Sequence, residues 1–175
     1  IQLERLSTLP GSELWHKLSI QGLHRFYERR TGRIVASWMT SQDRELAIAD
    51  NLAFVKKCIL AAAPRATQIV FAGFSQGVAM AFRAAASMPD LSAGVIACGG
   101  DLPPDITRDQ LRSLRSVLLA RADHDPWYSR AQFTADELKL RDFGVDVTAF
   151  AWDAGHEWSS SFIEAACLFL ASCAR

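Results

Sequence analysis

The 175-residue sequence predicts an α/β fold with a mainly parallel sheet flanked by helices on both faces. Short apolar or β-branched runs alternate along the chain with longer amphipathic segments, which is typical of successive strand–helix units. No repeat, low-complexity stretch or Gly/Ser linker interrupts this alternation. Because the length also suits one domain, we expect a single domain over residues 1–175.

The N-terminal third predicts two helices, a strand and an exposed turn or hairpin. Thr31-Gly32 in a basic segment favours the turn, Ser41 is placed to cap the long helix, and Pro64 ends it. In order, these elements are a helix over 1–9, a strand over 15–21, the hairpin within 24–38 and a helix over about 42–63.

The remaining two thirds predict four strands and three helices. The first strand, TQIVFAG, is a continuous apolar run, as expected of a buried central parallel strand. The helix after it carries only one charge, Arg83, and should therefore be buried. The predicted strands are 67–73, 91–99, 116–122 and 145–152, and the predicted helices are 76–88, 129–144 and 158–173.

Composition excludes several classes of function. Lysine plus arginine balance aspartate plus glutamate at 19 each, so neither nucleic acid nor an anionic membrane is an expected partner. No apolar run approaches the roughly 20 residues that span a bilayer. The four cysteines lie in apolar stretches without CxxC or Cys/His spacing, which predicts free thiols, no metal site and a reducing compartment such as the cytoplasm.

The segment Gly73-Phe74-Ser75-Gln76-Gly77 fits the pattern G-x-S-x-G. Chance alone gives this pattern in about one chain of this length in twenty, so the pattern is significant only together with the elements that flank it. A predicted strand directly before it and a helix directly after it favour a sharp turn that presents a nucleophilic serine. Gly73 and Gly77 leave room where backbone segments approach each other. The alternative is a serine that merely caps the helix.

This placement also predicts stabilisation of negative charge beside Ser75. The serine precedes a helix N-terminus, where the helix dipole favours an anion. The backbone N–H of Gln76 is placed to donate to an oxyanion.

A serine nucleophile needs a base, and in this class of fold the order along the chain is serine, acid, histidine. His156 is the late histidine that follows a predicted strand, so it is the predicted base. His16 and His24 precede Ser75 and are interpreted as core or surface residues. His124 is interpreted as a neighbour of the acid.

Two aspartates, Asp123 and Asp125, follow the strand over 116–122 at its carboxyl end, where parallel sheets place their sites. We favour Asp125 because Pro126 fixes the loop after it, and Asp123 stays the alternative. Asp153 is too close to His156 along the chain to be preferred.

Three ordered segments, GFSQG at 73–77, ADHDPW at 122–127 and AGHEW at 154–158, resemble the phospholipase/carboxylesterase family of small α/β-hydrolases, which includes acyl-protein thioesterases. The resemblance implies an α/β-hydrolase fold, the triad Ser75, Asp125 and His156, and hydrolysis through an acyl-enzyme. It also supports Asp125 over Asp123. The chain departs from the family's glycines at Val78, Ala122 and Ala154, which concerns the subfamily rather than the triad.

The family also carries an early strand that ends in an H-G-x loop, which supplies the second oxyanion donor. No such segment precedes residues 15–21, and the chain opens at Ile1 rather than a methionine. We therefore expect this strand and oxyanion loop to be missing from the sequence.

The sequence thus predicts a serine hydrolase that cleaves carboxylic esters or thioesters of small or acyl substrates without a cofactor. A lipase- or peptidase-like hydrolase, or a non-catalytic binding module on the same fold, is the alternative. The sequence is compatible with a homodimer. The aromatic and sulfur side chains nearest the catalytic loops line a substrate pocket or pack in the core; they are Trp38, Met39, Trp127 and Trp158.

Overall fold

A computed structural model describes residues 2–174 of the chain. These residues form two compact units, one of residues up to 17 together with those from 65 onward, the other of residues 18–64. In chain order the elements are α1 (Gln2–Ser7), β1 (His24–Tyr27), β2 (Ile34–Ser37), α2 (Arg44–Ala62), β3 (Ile69–Phe74), α3 (Gln76–Ser87), β4 (Ser92–Cys98), α4 (Arg108–Arg112), β5 (Ser116–Ala122), α5 (Arg130–Asp142), β6 (Asp146–Trp152) and α6 (Ser160–Cys173). The single-domain organisation stays a prediction.

The larger unit is built on a parallel sheet with the strand order β3-β4-β5-β6. Each strand lies beside the next one along the chain, and a helix connects each pair, as parallel neighbours require. The predicted α/β fold is therefore confirmed. All four strands end at one edge of the sheet, so the loops that follow them are neighbours.

Helices flank both faces of this sheet. On one face, α6 packs against alternate residues of the three strands β4, β5 and β6. Val95, Val117 and Leu119 point to the opposite face because side chains alternate along a strand, and they are fully buried as well. The residues between the sheet and α6 include Ile96, Cys98, Leu118, Ala120, Ala122, Trp152, Phe162, Ala166 and Phe169.

Helix α3 is buried over most of its length, as its lack of charge predicts, with residues 78–86 all buried. The one charged side chain of this helix, Arg83, is buried and donates through Nε to Asp105 Oδ2 at 2.8 Å. A carboxylate partner offsets the cost of burying a guanidinium. The helix that follows Ser75 is therefore a rigid part of the core.

The smaller unit contains the predicted hairpin, in which β1 and β2 pair antiparallel with Tyr27 opposite Ile34. Asn51 of α2 is fully buried and joins three segments of this unit. Its Oδ1 accepts from the Leu23 N–H at 3.1 Å, and its Nδ2 donates to the Trp38 carbonyl at 2.9 Å. One amide thus ties both ends of the hairpin to α2.

Two local predictions are wrong. Residues 16–22 have irregular backbone instead of the predicted strand over 15–21, because no segment of the described chain pairs with their N–H and C=O groups. Helix α2 begins at Arg44 after Asp43, whose φ of 50° places it in the left-handed region, so Ser41 does not cap the helix. Helix α4 and a 3-10 turn at Ser12–Leu14 lack a sequence prediction.

None of the helices found between residues 2 and 174 is both long and apolar enough to cross a membrane. All four cysteines are free thiols, with Cys98 and Cys173 buried and Cys58 and Cys167 half-buried.

Candidate active site

Ser75 occupies the turn between β3 and α3 with a strained backbone, φ 54° and ψ −125°. Among the described residues, only Ser75 and Asp43 combine a positive φ with a side chain. The Ser75 N–H donates to the Cys98 carbonyl at 2.9 Å, which helps to hold the turn against the end of β4. A strained backbone of this kind persists only because several surrounding contacts hold it in place.

Gly73 makes this turn sterically feasible. A Cβ on Gly73 would overlap the Gly77 carbonyl group and lie 2.6 Å from Val78 Cα, and backbone atoms at this position have no freedom to retreat. A side chain at Gly73 would therefore force β3 and α3 apart. This is the close approach that the G-x-S-x-G pattern predicts.

Asp125 and His156 lie in the loops that follow β5 and β6, and the structure brings them into direct contact. His156 Nδ1 lies 2.7 Å from Asp125 Oδ2. Asp125 Oδ1 accepts two further hydrogen bonds, from the Trp127 N–H at 2.8 Å and the Tyr128 N–H at 3.1 Å. Because an ionised carboxylate only accepts, Nδ1 carries the imidazole proton and leaves Nε2 as the acceptor.

Asp125 is held in its ionised form. Burial raises its pKa, since the side chain is only 1% exposed, but the hydrogen bonds from His156, Trp127 and Tyr128 together lower it by more. The net result is a pKa below the ordinary value of 3.8. Asp125 is therefore an anion at neutral pH, as an acid that orients a histidine must be.

The neighbouring groups in these two loops have other partners. Asp123, the alternative acid, turns its carboxylate to Arg121, with Oδ1 3.2 Å from Nη1. His124 Nε2 meets Asp153 Oδ1 at 2.8 Å on the exposed surface. The loop backbones are also joined, since the His124 N–H donates to the Ala154 carbonyl at 3.0 Å.

The loop after β4 lies between Ser75 and the Asp125–His156 pair. A Cβ on Gly99, whose φ is 62°, would lie 3.2 Å from both Asp125 Oδ2 and His156 Cε1. A Cβ on Gly100 would lie 2.5 Å from the Ser75 carbonyl oxygen. Sequence reasoning missed both residues, although two successive glycines at the carboxyl end of a central strand are a detectable signal.

Aromatic packing places His156 beside the strained turn. The ring centroid of His156 lies 4.7 Å from that of Phe74, the residue directly before Ser75. The half-buried Trp158 contacts Phe74 edge-on, with ring centroids 6.5 Å apart. Trp158 also packs edge-on against Phe162, with centroids 4.5 Å apart. Phe74 thus links the turn to the loop after β6 that carries His156.

The other predicted site residues have diverse surroundings. Gln76 is exposed and opens α3 directly after Ser75, while Trp127 is 76% exposed in the loop after β5. Trp38 and Met39 are half-buried residues of the smaller unit. That Trp38, Met39 and Trp127 line a substrate pocket stays a prediction. Across residues 2–174, no group of three or more His, Cys, Asp or Glu side chains is arranged to hold a metal ion.

Residues 35–174 match the phospholipase/carboxylesterase family. No curated protein matches the sequence.

Many solved structures share the fold. Arabidopsis thaliana SOBER1 is 14% identical with a TM-score of 0.75, over 99% of this chain and 90% of that one. A Bacillus cereus carboxylesterase is 18% identical with a TM-score of 0.70, over 98% and 81% of the two chains. Acyl-protein thioesterase 2 of Zea mays is 16% identical with a TM-score of 0.66, over 93% and 87%. At these identities the likeness establishes an α/β-hydrolase fold.

Proposed function

Since the chain belongs to the phospholipase/carboxylesterase family, we propose that it cleaves carboxylic ester or thioester bonds with Ser75, His156 and Asp125 as its catalytic triad. Family and fold make it an esterase- or thioesterase-type hydrolase. The observation that carries the triad is the 2.7 Å contact between His156 and the ionised Asp125. The Phe74 contact that places this pair beside the strained Ser75 supports it further.

In the first half of the proposed reaction, Ser75 Oγ attacks the acyl carbonyl carbon. His156 Nε2 accepts the hydroxyl proton as the oxygen–carbon bond forms, and Asp125 stabilises the resulting imidazolium. His156 then returns that proton to the leaving oxygen or sulfur as its bond to the acyl carbon breaks. The products of this half are a free alcohol or thiol and an acyl-enzyme on Ser75.

In the second half, water takes the place of the leaving group. His156 removes a proton from the water as the water oxygen attacks the acyl carbon, and gives it to Ser75 Oγ as the acyl bond breaks. A carboxylic acid leaves and the serine hydroxyl is restored.

Both halves pass through a tetrahedral oxyanion, which we assign to the N-terminus of α3. The Gln76 N–H donates to it, and the positive end of the helix dipole favours its charge. One such donor is worth on the order of 10²–10³ in rate.

The substrate class extends to both oxygen and sulfur esters because the chemistry of the triad does not distinguish them. The similar structures include a carboxylesterase, named for oxygen esters, and an acyl-protein thioesterase, named for thioesters. We propose that Trp127 and Trp158 contribute to the acyl or leaving-group pocket, since each lies two residues after a triad member.

Hydrolysis of matched oxygen ester and thioester series with acyl chains of increasing length tests this proposal. The protein should hydrolyse at least one series, and Ser75→Ala should remove that activity. Ser172→Ala, which changes an exposed serine in the last turn of α6, is the matched control and should hydrolyse at the wild-type rate. Equal hydrolysis by the protein and by Ser75→Ala, or none by either, would contradict the proposal and favour a non-catalytic module.

A further inference from the structure

Arg121 is a buried charge beneath the loop that carries Asp125. It is the only charged residue of β5, and it is 6% exposed. A buried guanidinium costs free energy unless hydrogen bonds replace its water. Its partners therefore indicate why the strand carries an arginine here.

The guanidinium of Arg121 joins the two ends of the acid loop, residues 123–128. Nε donates to the Tyr128 carbonyl at 2.9 Å and Nη2 donates to the Asp123 carbonyl at 2.8 Å. Nη1 donates to Asp123 Oδ1 at 3.2 Å. The planar fork of an arginine thus spans the loop from its first residue to its last.

Tyr128 transmits this constraint to Asp125. Its N–H donates to Asp125 Oδ1 at 3.1 Å, while its carbonyl accepts from Arg121. Its buried hydroxyl donates to Asp136 Oδ2 at 2.9 Å, and the same oxygen accepts from the Leu102 N–H at 3.0 Å. All three polar groups of Tyr128 are therefore fixed, two of them on the path from Arg121 to Asp125.

From this geometry we propose that Arg121 is a positioning residue for the triad. By clamping both ends of the loop, it keeps the Trp127 and Tyr128 N–H groups on Asp125 Oδ1. Asp125 Oδ2 then stays in contact with His156. Lysine does not substitute fully, because a single ammonium cannot hold both loop carbonyls in a fixed plane. This inference rests on the proposed function for its effect on catalysis.

Three variants test the inference by kinetics. In Arg121→Met the fork is removed, in Arg121→Lys only the charge is kept, and in Arg112→Met a 63% exposed arginine of α4 is changed as the matched control. The functional sites in each sample are counted by stoichiometric fluorophosphonate titration. For Arg121→Met we expect kcat per titrated site to fall on the order of 100-fold with KM nearly unchanged, because the chemical step depends on fine alignment.

Arg121→Lys should fall between wild type and Arg121→Met, and Arg112→Met should match wild type. A purely structural role for Arg121 would instead lower the number of titrated sites and leave kcat per site unchanged. That result would overturn the inference.

A second readout does not depend on activity. A proton shared between an imidazole Nδ1 and a carboxylate resonates far downfield of the amide protons in a ¹H NMR spectrum. We expect this signal in the wild type and in Arg112→Met, and its displacement or loss in both Arg121 variants. An unchanged signal in folded Arg121→Lys would overturn the inference. If the wild-type protein hydrolyses no ester, the proposed function fails, and the NMR comparison still decides the role of Arg121.

Discussion

At the residue level, hydrogen bonds to the Asp125 carboxylate determine that it is ionised. The carboxylate is buried and yet ionised, because three hydrogen bonds from one side chain and two backbone N–H groups outweigh the cost of burial. Asp123, two residues earlier in the chain, is half-exposed and pairs with Arg121 instead. The two aspartates thus have different roles because their donors differ, which neighbouring positions in a sequence do not reveal.

Asp125→Asn should lower kcat by on the order of 10⁴, because an amide no longer fixes the imidazole tautomer or stabilises an imidazolium. Asp153→Asn, which changes an exposed aspartate paired with His124, is the matched control and should keep wild-type kcat. Steady-state kinetics on the preferred ester compares the two variants. Wild-type kcat in Asp125→Asn would show that this residue is not the acid.

The lowered pKa of Asp125 also predicts how stability depends on pH. Since the folded-state value lies below the unfolded value near 3.8, the ionised carboxylate adds stability above that pH. This contribution is lost as the pH falls through the folded-state pKa. Urea unfolding at pH 7 and pH 3 should show a larger loss of unfolding free energy for the wild type than for Asp125→Asn. Parallel losses would contradict the assigned direction of the pKa.

Among the helices, strands and turns, the sequence predicts those whose formation depends mainly on residues close together in the chain. Strand β5 matches its predicted span of 116–122 because an apolar run between polar turns suffices to define it. The turn around Ser75 is equally local, since its glycines flank the serine. The predicted strand at 15–21 fails because a strand depends on a neighbour, which its own residues do not encode. The glycine at position 99 is visible in the sequence, but its role is not, because its contacts come from the loops of Asp125 and His156. Arg121 escapes prediction although its partners lie two and seven residues ahead, because they meet it only when the loop folds back.

Gly73→Ala should disrupt the turn between β3 and α3. The added Cβ meets the backbone of Gly77 and Val78, so we expect a loss of about 1–3 kcal/mol in unfolding free energy. Displacement of Ser75 should lower kcat on the order of 100-fold.

Gly155→Ala is the matched control for this change. Gly155 precedes His156, but a Cβ there meets no atom within 4 Å of its ideal position. Chemical denaturation and kinetics should therefore leave Gly155→Ala close to wild type. If the two glycine variants behaved alike, the steric account of the turn would be wrong.

At the scale of the whole molecule, the parallel sheet gathers the site. Ser75 follows β3, Gly99 follows β4, Asp125 follows β5 and His156 follows β6, so four consecutive strands each deliver one component at the same edge. This arrangement is predictable from the order of strands and helices, because parallel strands share a carboxyl end. The distances between the components are not predictable from it, since they depend on how each loop is held.

The free thiols predict that stability does not depend on redox conditions. Denatured, unreduced protein should release four equivalents of chromophore from a thiol-reactive disulfide reagent, one for each cysteine. In the native protein Cys98 and Cys173 should react slowly because they are buried. A melting temperature that falls on addition of a reductant would contradict this prediction.

The most direct test of the proposed triad is the site of covalent modification by a fluorophosphonate. The probe phosphonylates a serine only when a base activates its hydroxyl, and peptide mass spectrometry then locates the adduct. We predict a single adduct on Ser75, absent from Ser75→Ala and formed much more slowly in His156→Gln. An unmodified Ser75 in the wild type, or an adduct that forms equally in Ser75→Ala, would contradict the assignment of Ser75 as the nucleophile.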